Sequence, residues 1–214
     1  MEKKGVLGQA TIDQIEPLCR AMVSAGTALI EGIGIQRLSR DLLDDLTLLT
    51  LGPQLRGGAN VKLGAAGIVR VFDAIHSIVK SAVIESEQAK IKLVNAAGRE
   101  VYIEFAPDPD IIIREVIGQN TFREIIAIEI KAGKDFSNIH NRIGEAEKSH
   151  QKAKSIGYVE CWTIVNVHKI DTAMARRESP STNRFYRISD ITNPDTENYV
   201  DFRSRLISLT GISA

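Results

Sequence analysis

The chain has 214 residues, of which 43% are hydrophobic and 25% are charged, values that are ordinary for a globular protein able to bury one good core. Lys and Arg together number 27, as do Asp and Glu, so the formal net charge is zero. This balance excludes a globally basic nucleic-acid binder, and any such partner must be met by a local patch.

Cysteine usage and hydropathy indicate a reducing compartment. The two cysteines, Cys19 and Cys161, lie far apart in apolar contexts, which favours buried free thiols. The start of the sequence lacks the apolar stretch of a secretion signal, and no run approaches membrane-spanning length. We therefore expect a soluble, cytoplasmic protein.

The N-terminal part is predicted to be helical. Apolar residues recur at helical spacing from about residue 11 to 34 and again from 35 to 49, where Gly52-Pro53 is expected to stop the second helix. A flexible loop is predicted from Arg56 to Asn60, and a third helix from about Ala66 to Lys90.

The period of the apolar pattern then changes to two, which is typical of strands. The elements predicted in this part are strands at 91–95, 99–105, 110–117 and 123–132, a helix at 137–156, a strand at 158–167, a polar basic stretch at 168–183, a short strand at 184–188 and a closing helix at 195–207. Antiparallel strands followed by a helical crossover predict an α/β protein with a mixed central sheet flanked by helices.

Two charged side chains in the strand 123–132 are the most informative feature. Side chains alternate along a strand, so Glu129 and Lys131 share one face while isoleucines fill the other. Upstream, a Pro-Asp-Pro-Asp turn delivers Asp110 to the start of another apolar strand. A hard cation such as Mg²⁺ prefers oxygen ligands and keeps several waters, so Asp110, Glu129 and a phosphate oxygen suffice to hold it.

Such a metal polarises a phosphate and lowers the pKa of its bound water. Lys131 beside it would orient or deprotonate the attacking water, or offset charge in the transition state. The three residues therefore predict phosphodiester hydrolysis. The competing interpretation is a solvated face of an edge strand, because acid-x-Lys by itself is a weak motif.

Asp110 with Glu129-x-Lys131, set in the order helix, three strands, helix, strand, resembles the PD-(D/E)XK nuclease superfamily. The stretch 129–150 is similar to type II restriction endonucleases, in particular to the group that cuts CCCGGG. The resemblance implies an αβββαβ core with an N-terminal helical extension, Mg²⁺-dependent cleavage of double-stranded DNA at a palindromic site, and a homodimer. It also implies that Asp110 and Glu129 are metal ligands and that Lys131 is the catalytic lysine.

Two questions about the acids stay open. Asp108 also follows a proline, and we favour Asp110 because it abuts the strand. Members of the superfamily often supply an additional acid from the helix before the strands, for which Glu85 is the candidate. An ordinary exposed acid is the alternative interpretation of Glu85.

We expect a single nuclease domain, with a helical part at 1–65, the catalytic core at 66–167, and a recognition loop with a closing helix at 168–214. The helix after Lys131 is positioned to present polar side chains to phosphates, and the basic stretch is the predicted base-reading region, since Arg binds guanine bidentately. The candidate DNA-binding residues are Asn141, Arg142, Lys148, Ser149, His168, Lys169, Arg176, Arg177, Asn183 and Arg184. A solvated helix face and a polar surface loop are the alternatives.

The predicted function is that of a magnesium-dependent type II restriction endonuclease. Three rivals remain: a junction-resolving or repair nuclease on the same core, a catalytically inactive DNA-binding module, and an interaction domain that binds no nucleic acid. The intact set Asp110, Glu129 and Lys131 argues against the inactive module. The zero net charge is the observation that favours the last rival.

Overall fold

The computed structural model describes residues 13–119, 121–133, 135 and 138–213, with the side chains at 50, 52–56, 59 and 60 outside that description. Two compact units divide the chain, Met1–Gly57 and Gly58–Ala214. The side chains of Arg56 and Asn60, at the two ends of the predicted loop, lie outside the described set. None of the described helices combines the length and apolarity needed to cross a bilayer.

The N-terminal unit is helical, as the apolar spacing predicts. Helix α1 spans Ile15–Ile33, a 3₁₀ turn follows at Ile35–Arg37, and helix α2 spans Arg40–Val79. The predicted stop at Gly52-Pro53 and the predicted loop at 56–60 are wrong, because the backbone stays helical through both. A proline removes one backbone hydrogen bond, and here the remaining helical bonds carry the chain past it.

The second unit is built on a seven-stranded sheet in the order β1 to β7. The strands are β1 (Val83–Glu87), β2 (Lys90–Val94), β3 (Glu100–Phe105), β4 (Ile111–Gly118), β5 (Thr121–Lys131), β6 (Glu160–Val165) and β7 (Arg184–Arg187). The first five form an antiparallel meander, whereas β5, β6 and β7 run parallel. The predicted mixed sheet is confirmed.

Besides the C-terminal part of α2, the α-helices described in this unit come after β5 in the chain. They are α3 (Ile139–Ile156), α4 (Thr172–Glu178), α5 (Ile188–Ile191) and α6 (Glu197–Thr210). Helix α3 is the crossover between β5 and β6, which a parallel pair requires. Gly157 ends it in a left-handed conformation, with φ of 114°.

Two apolar layers hold the sheet. Ile126, Ile128 and Ile130 point into the main core with Phe72 of α2 and Phe202 of α6. The opposite face is covered by α3 and α4 through smaller clusters. The members of these two clusters include Ala127, Ile139, Ile143, Ala153, Cys161, Val165, Met174 and Ala175. Strand β5 is therefore covered on both faces and lies between two neighbours, which excludes the edge-strand interpretation of Glu129 and Lys131.

Three further expectations need correction. The third helix ends at Val79 rather than near Lys90, because the segment from Val83 pairs with β2 and becomes β1; tertiary pairing overrides local periodicity. The basic stretch contains helix α4, whose N-cap Asp171 accepts hydrogen bonds from the amides of Ala173 and Met174. Cys161 is buried as expected, but Cys19 is exposed, because α1 has no buried residue.

Candidate active site

Two carboxylates meet where β4 begins beside β5. Ile111 pairs with Ile128, so the antiparallel register places Asp110 next to Glu129. The Oδ2 atom of Asp110 accepts a hydrogen bond of 2.7 Å from the backbone N–H of Ile130. Glu129 is buried, with 7% of its surface exposed. The structure therefore brings together the two acids that the sequence predicts as metal ligands.

The site disfavours the ionised forms of both Asp110 and Glu129. Burial raises the pKa of Asp110, and the hydrogen bond from Ile130 and the charge of Lys131 offset this only in part. Burial also raises the pKa of Glu129, and the charge of Asp110 raises it further. A positive charge placed between them would relieve this repulsion.

Lys131 lies between two acids. Its Nζ is 3.0 Å from Oε1 of Glu129 and 3.3 Å from Oε2 of Glu145 on α3. Burial lowers the pKa of Lys131, but the charges and hydrogen bonds of these carboxylates outweigh burial, so the net shift is upward. Lys131 is therefore a fixed ammonium group at neutral pH.

Asp108 points to different partners. Its Oδ2 lies 2.5 Å from Nζ of Lys152 on α3, and the hydroxyl of Ser149 also hydrogen-bonds it. These two contacts lower the pKa of Asp108. The charge of Asp108 raises the pKa of Glu129 less than the charge of Asp110 does. The geometry therefore favours Asp110 over Asp108 as the partner of Glu129.

One face of α3 supplies most of the supporting contacts. Glu145, Ser149 and Lys152 are spaced by four and three residues, so they share a helical face. Glu145 holds Lys131, while Ser149 and Lys152 hold Asp108. Sequence reasoning missed Glu145 and Lys152, and the available signal was this helical spacing directly after the Glu-x-Lys strand.

Arg142 extends this face by one further turn. A Cβ atom on Gly133 would lie 1.9 Å from Nη1 of Arg142, so only glycine lets the guanidinium approach the backbone after Lys131. Within the described residues, Nη1 is buried and has no hydrogen-bond partner. A cationic donor beside Gly133, which is two residues past Lys131, is suited to an anionic oxygen.

Glu85 does not join this site. It lies exposed on β1, not on the helix that the sequence predicts. Four strand spacings separate β1 from β5 in the sheet order, roughly 19 Å. Glu104 on β3 pairs with Lys90 and Arg114.

The candidate DNA-binding residues fall into two groups. Ser149 is buried against Asp108, Asn141 donates to Oδ1 of Asn138, and Oδ1 of Asn183 accepts from the amide of Cys161. The remaining polar side chains keep exposed surface: Lys148 on α3, His168 and Lys169 before α4, Arg176 and Arg177 on α4, and half-buried Arg184 on β7.

The oxygen donors at this site fit Mg²⁺. Among the residues described, no group of three or more His, Cys, Asp or Glu side chains stands in metal-binding geometry. Mg²⁺ is commonly held by one or two carboxylates, with waters and substrate phosphate completing its shell. Asp110 and Glu129 supply that number, and their mutual repulsion is what a divalent ion would remove.

Comparison with known proteins places the chain in a family. A family model described as XcyI restriction endonuclease matches residues 1–213. The chain belongs to the XcyI restriction endonuclease family. This membership confirms the resemblance to type II restriction endonucleases noted from Glu129-x-Lys131.

Two type II restriction enzymes are similar to the chain over all 214 residues. The chain is 58% identical to the type II restriction enzyme Cfr9I of Citrobacter freundii and 55% identical to the type II restriction enzyme XcyI of Xanthomonas campestris pv. cyanopsidis. Each alignment covers 100% of this chain, 65% of Cfr9I and 64% of XcyI. The chain thus spans slightly less than two thirds of the length of these relatives.

Proposed function

We propose that the protein is a magnesium-dependent type II restriction endonuclease that hydrolyses one phosphodiester in each strand of a short palindromic site in duplex DNA. The observation that carries this proposal is the triad at the junction of β4 and β5. Two carboxylates, half-buried Asp110 and buried Glu129, stand beside the ammonium group of Lys131. Family membership supports the same reaction.

Asp110 and Glu129 are the residues that would hold Mg²⁺. Bound there, the ion would polarise the scissile phosphate and lower the pKa of a water. The backbone N–H of Ile130 orients the Asp110 carboxylate, so one ligand is fixed before any ion arrives. Burial of Glu129 keeps bulk water from competing for its oxygens.

Lys131 acts as a cation. Because Glu129 and Glu145 raise its pKa, it keeps its proton at neutral pH and is poorly suited to remove one from water. We assign to it the stabilisation of charge on the phosphoryl oxygens and the orientation of the attacking water. We assign to Arg142, whose Nη1 has no hydrogen-bond partner in the part of the chain that is described, the binding of a phosphate nearby.

The proposed recognition site is CCCGGG. Every base pair of that sequence contains guanine, whose O6 and N7 atoms accept a bidentate pair of hydrogen bonds from arginine in the major groove. Arg176 and Arg177 are exposed on α4 and are the proposed base-reading residues. Lys148, His168, Lys169 and Arg184 are the proposed phosphate contacts.

A two-fold homodimer fits a palindromic site, because the two-fold symmetry of the DNA site matches that of the protein. The N-terminal unit offers an apolar surface for it. None of the residues of α1 is buried, and Met22 and Val23 are 66% and 69% exposed. Large exposed apolar patches mark interaction sites.

The test is incubation of the protein with plasmid DNA and Mg²⁺. Discrete bands that vanish when CCCGGG is removed from the plasmid are expected. Preference for branched substrates would instead indicate a junction-resolving or repair nuclease, and binding without cutting would indicate an inactive module. Sedimentation on duplex DNA should show two protein chains for each site, and a single chain would contradict the dimer.

A further inference from the structure

A buried carboxylate outside the triad has no role in the chemistry described so far. Glu147 on α3 is 8% exposed. Its Oε2 accepts hydrogen bonds from the hydroxyl of Ser179 at 2.8 Å and from the amide of Ser181 at 2.9 Å. Its Oε1 accepts from the hydroxyl of Ser181 at 2.8 Å and from Gln151 at 2.9 Å.

Three of these four donors belong to one short segment, residues 179–181. That segment begins where α4 ends, since the amide of Ser179 donates to the carbonyl of Ala175 in the last turn of α4. Glu147 therefore ties α3 directly to the C-terminal end of α4. Movement of residues 179–181 would break several hydrogen bonds to the buried Glu147 carboxylate at once. These bonds therefore hold the segment in one conformation.

The hydrogen bonds continue from this segment toward the active site. The hydroxyl of Ser179 is 2.7 Å from that of Thr182, which is 2.9 Å from that of Thr163. Thr163 on β6 is the register neighbour of Glu129 on β5. The contacts thus connect the end of α4 to the strand beside a proposed metal ligand.

Helix α4 also contacts α3 through its apolar side and through Glu178, whose Oε1 lies 3.6 Å from Nδ1 of His140. Met174 and Ala175 pack against Ile139 and Ile143 of α3. The neighbouring Arg176 and Arg177 are exposed. A seven-residue helix is too short to be stable alone, so its orientation depends on this packing and on Glu147.

We propose that Glu147 is a positioning residue that sets Arg176 and Arg177 of α4 at the correct angle to DNA, relative to the triad on β5. The inference rests on the proposed function, because it takes these arginines to contact DNA. Glu147 touches neither substrate nor metal; it acts through residues 179–181. Loss of its contacts should therefore weaken DNA binding and sequence preference while sparing the chemical step.

The experiment compares Glu147→Gln and Ser181→Ala with Gln151→Ala. Gln151 donates to the same carboxylate from within α3 rather than from residues 179–181, so its variant is the matched control. Gel-shift titration on cognate and scrambled duplexes, with Ca²⁺ replacing Mg²⁺, reports affinity and preference. Single-turnover cleavage at saturating DNA reports the chemical step.

Glu147→Gln and Ser181→Ala should each weaken cognate binding by about 10-fold, with the cleavage rate at saturating DNA changed less than about 2-fold. Gln151→Ala should bind like the wild type. The double variant Glu147→Gln/Ser181→Ala should be no weaker than the worse single variant, because both remove the same constraint. If Glu147→Gln does not fold, Ser181→Ala alone carries the test.

A fall in melting temperature with unchanged cognate affinity would overturn the proposal and leave Glu147 with a structural role. An equal loss for Gln151→Ala would overturn it too. Arg176→Ala and Arg177→Ala separate the two hypotheses: if they bind DNA normally, the proposed base-reading role is wrong. If they bind weakly while Glu147→Gln binds normally, only the positioning role is wrong.

Discussion

The carboxylate of Asp110 accepts a hydrogen bond of 2.7 Å from the backbone N–H of Ile130, the residue between Glu129 and Lys131. One contact across two strands therefore aligns all three members of the triad. The proposed metal ligands come from β5 and from the turn before β4, and neither strand alone contains a metal site. Substitution of any of the three residues should lower the cleavage rate without preventing folding.

Removal of either proposed ligand should abolish cleavage. We expect Asp110→Ala and Glu129→Ala to lose at least about 100-fold in cleavage rate while keeping the circular dichroism spectrum of the wild type. Asp108→Ala should be milder, because Asp108 is held by Lys152 rather than facing Glu129. Near wild-type cutting by either ligand variant would remove the metal-site assignment, and a worse loss in Asp108→Ala would transfer the role to Asp108.

The same two acids should make the metal-free protein less stable at neutral pH. Burial raises the pKa of both Asp110 and Glu129 in the folded state, so their contribution to stability is present below the unfolded pKa and is lost as the pH rises through the folded pKa. Glu129→Gln should therefore melt above the wild type at pH 7.5 in EDTA.

Added Mg²⁺ should close that gap, because it stabilises only the protein that retains both ligands. Thermal melts with and without Mg²⁺ measure the difference. A variant that melts below the wild type in EDTA, or a wild type that Mg²⁺ leaves unchanged, would argue against a strained carboxylate pair.

Lys131 and Glu145 should affect chemistry rather than binding. Lys131→Ala is expected to lose at least about 100-fold in cleavage yet bind cognate DNA in Ca²⁺. Glu145→Gln, which removes the charge 3.3 Å from Nζ of Lys131, should cost about 10-fold. Lys154→Ala, an exposed lysine on the same helix, is the control. A loss in Lys154→Ala equal to that in Lys131→Ala would mean that the effect is one of overall charge.

Replacement of Gly133 by any larger residue should lower activity, because the guanidinium of Arg142 lies where the new Cβ atom would be. A Cβ there would lie 1.9 Å from Nη1 of Arg142, so Gly133→Ala should displace the guanidinium and lower cleavage about 10-fold. Gly144→Ala is the matched control, since its Cβ meets nothing within 4 Å. Gly133→Ala/Arg142→Ala should resemble Arg142→Ala, and fully additive losses would contradict this contact.

His150 should make the fold sensitive to acid. It is fully buried, its Nε2 is 2.9 Å from the hydroxyl of Thr163, and burial lowers its pKa to about 4. The unfolded chain therefore binds a proton at a higher pH than the folded one, so stability is lost as the pH falls from about 6.5 to about 4.

The loss from this one group amounts to about 3 kcal/mol at most. Urea unfolding between pH 7 and pH 4 should show a steeper fall in the free energy of unfolding for the wild type than for His150→Gln. Parallel curves for the two proteins would show that His150 does not titrate in this range.

The sequence by itself determined the local features of the site. Alternation along a strand put Glu129 and Lys131 on one face, and the Pro-Asp turn delivered an acid to the next apolar strand. These features depend on spacing within one element, which the backbone geometry dictates. The same reasoning predicted the meander, the crossover helix and the mixed sheet.

Only the tertiary structure decided which residues meet across elements. The proximity of Glu145 to Lys131, the pairing of Asp108 with Lys152 and the placement of Glu85 on a distant strand all depend on how α3 and β1 pack against or pair within the sheet. Such contacts join residues far apart in sequence, so neither spacing nor propensity specifies them. For the same reason the sequence showed a basic stretch at 168–183, whereas packing against α3 made part of it a helix held by Glu147.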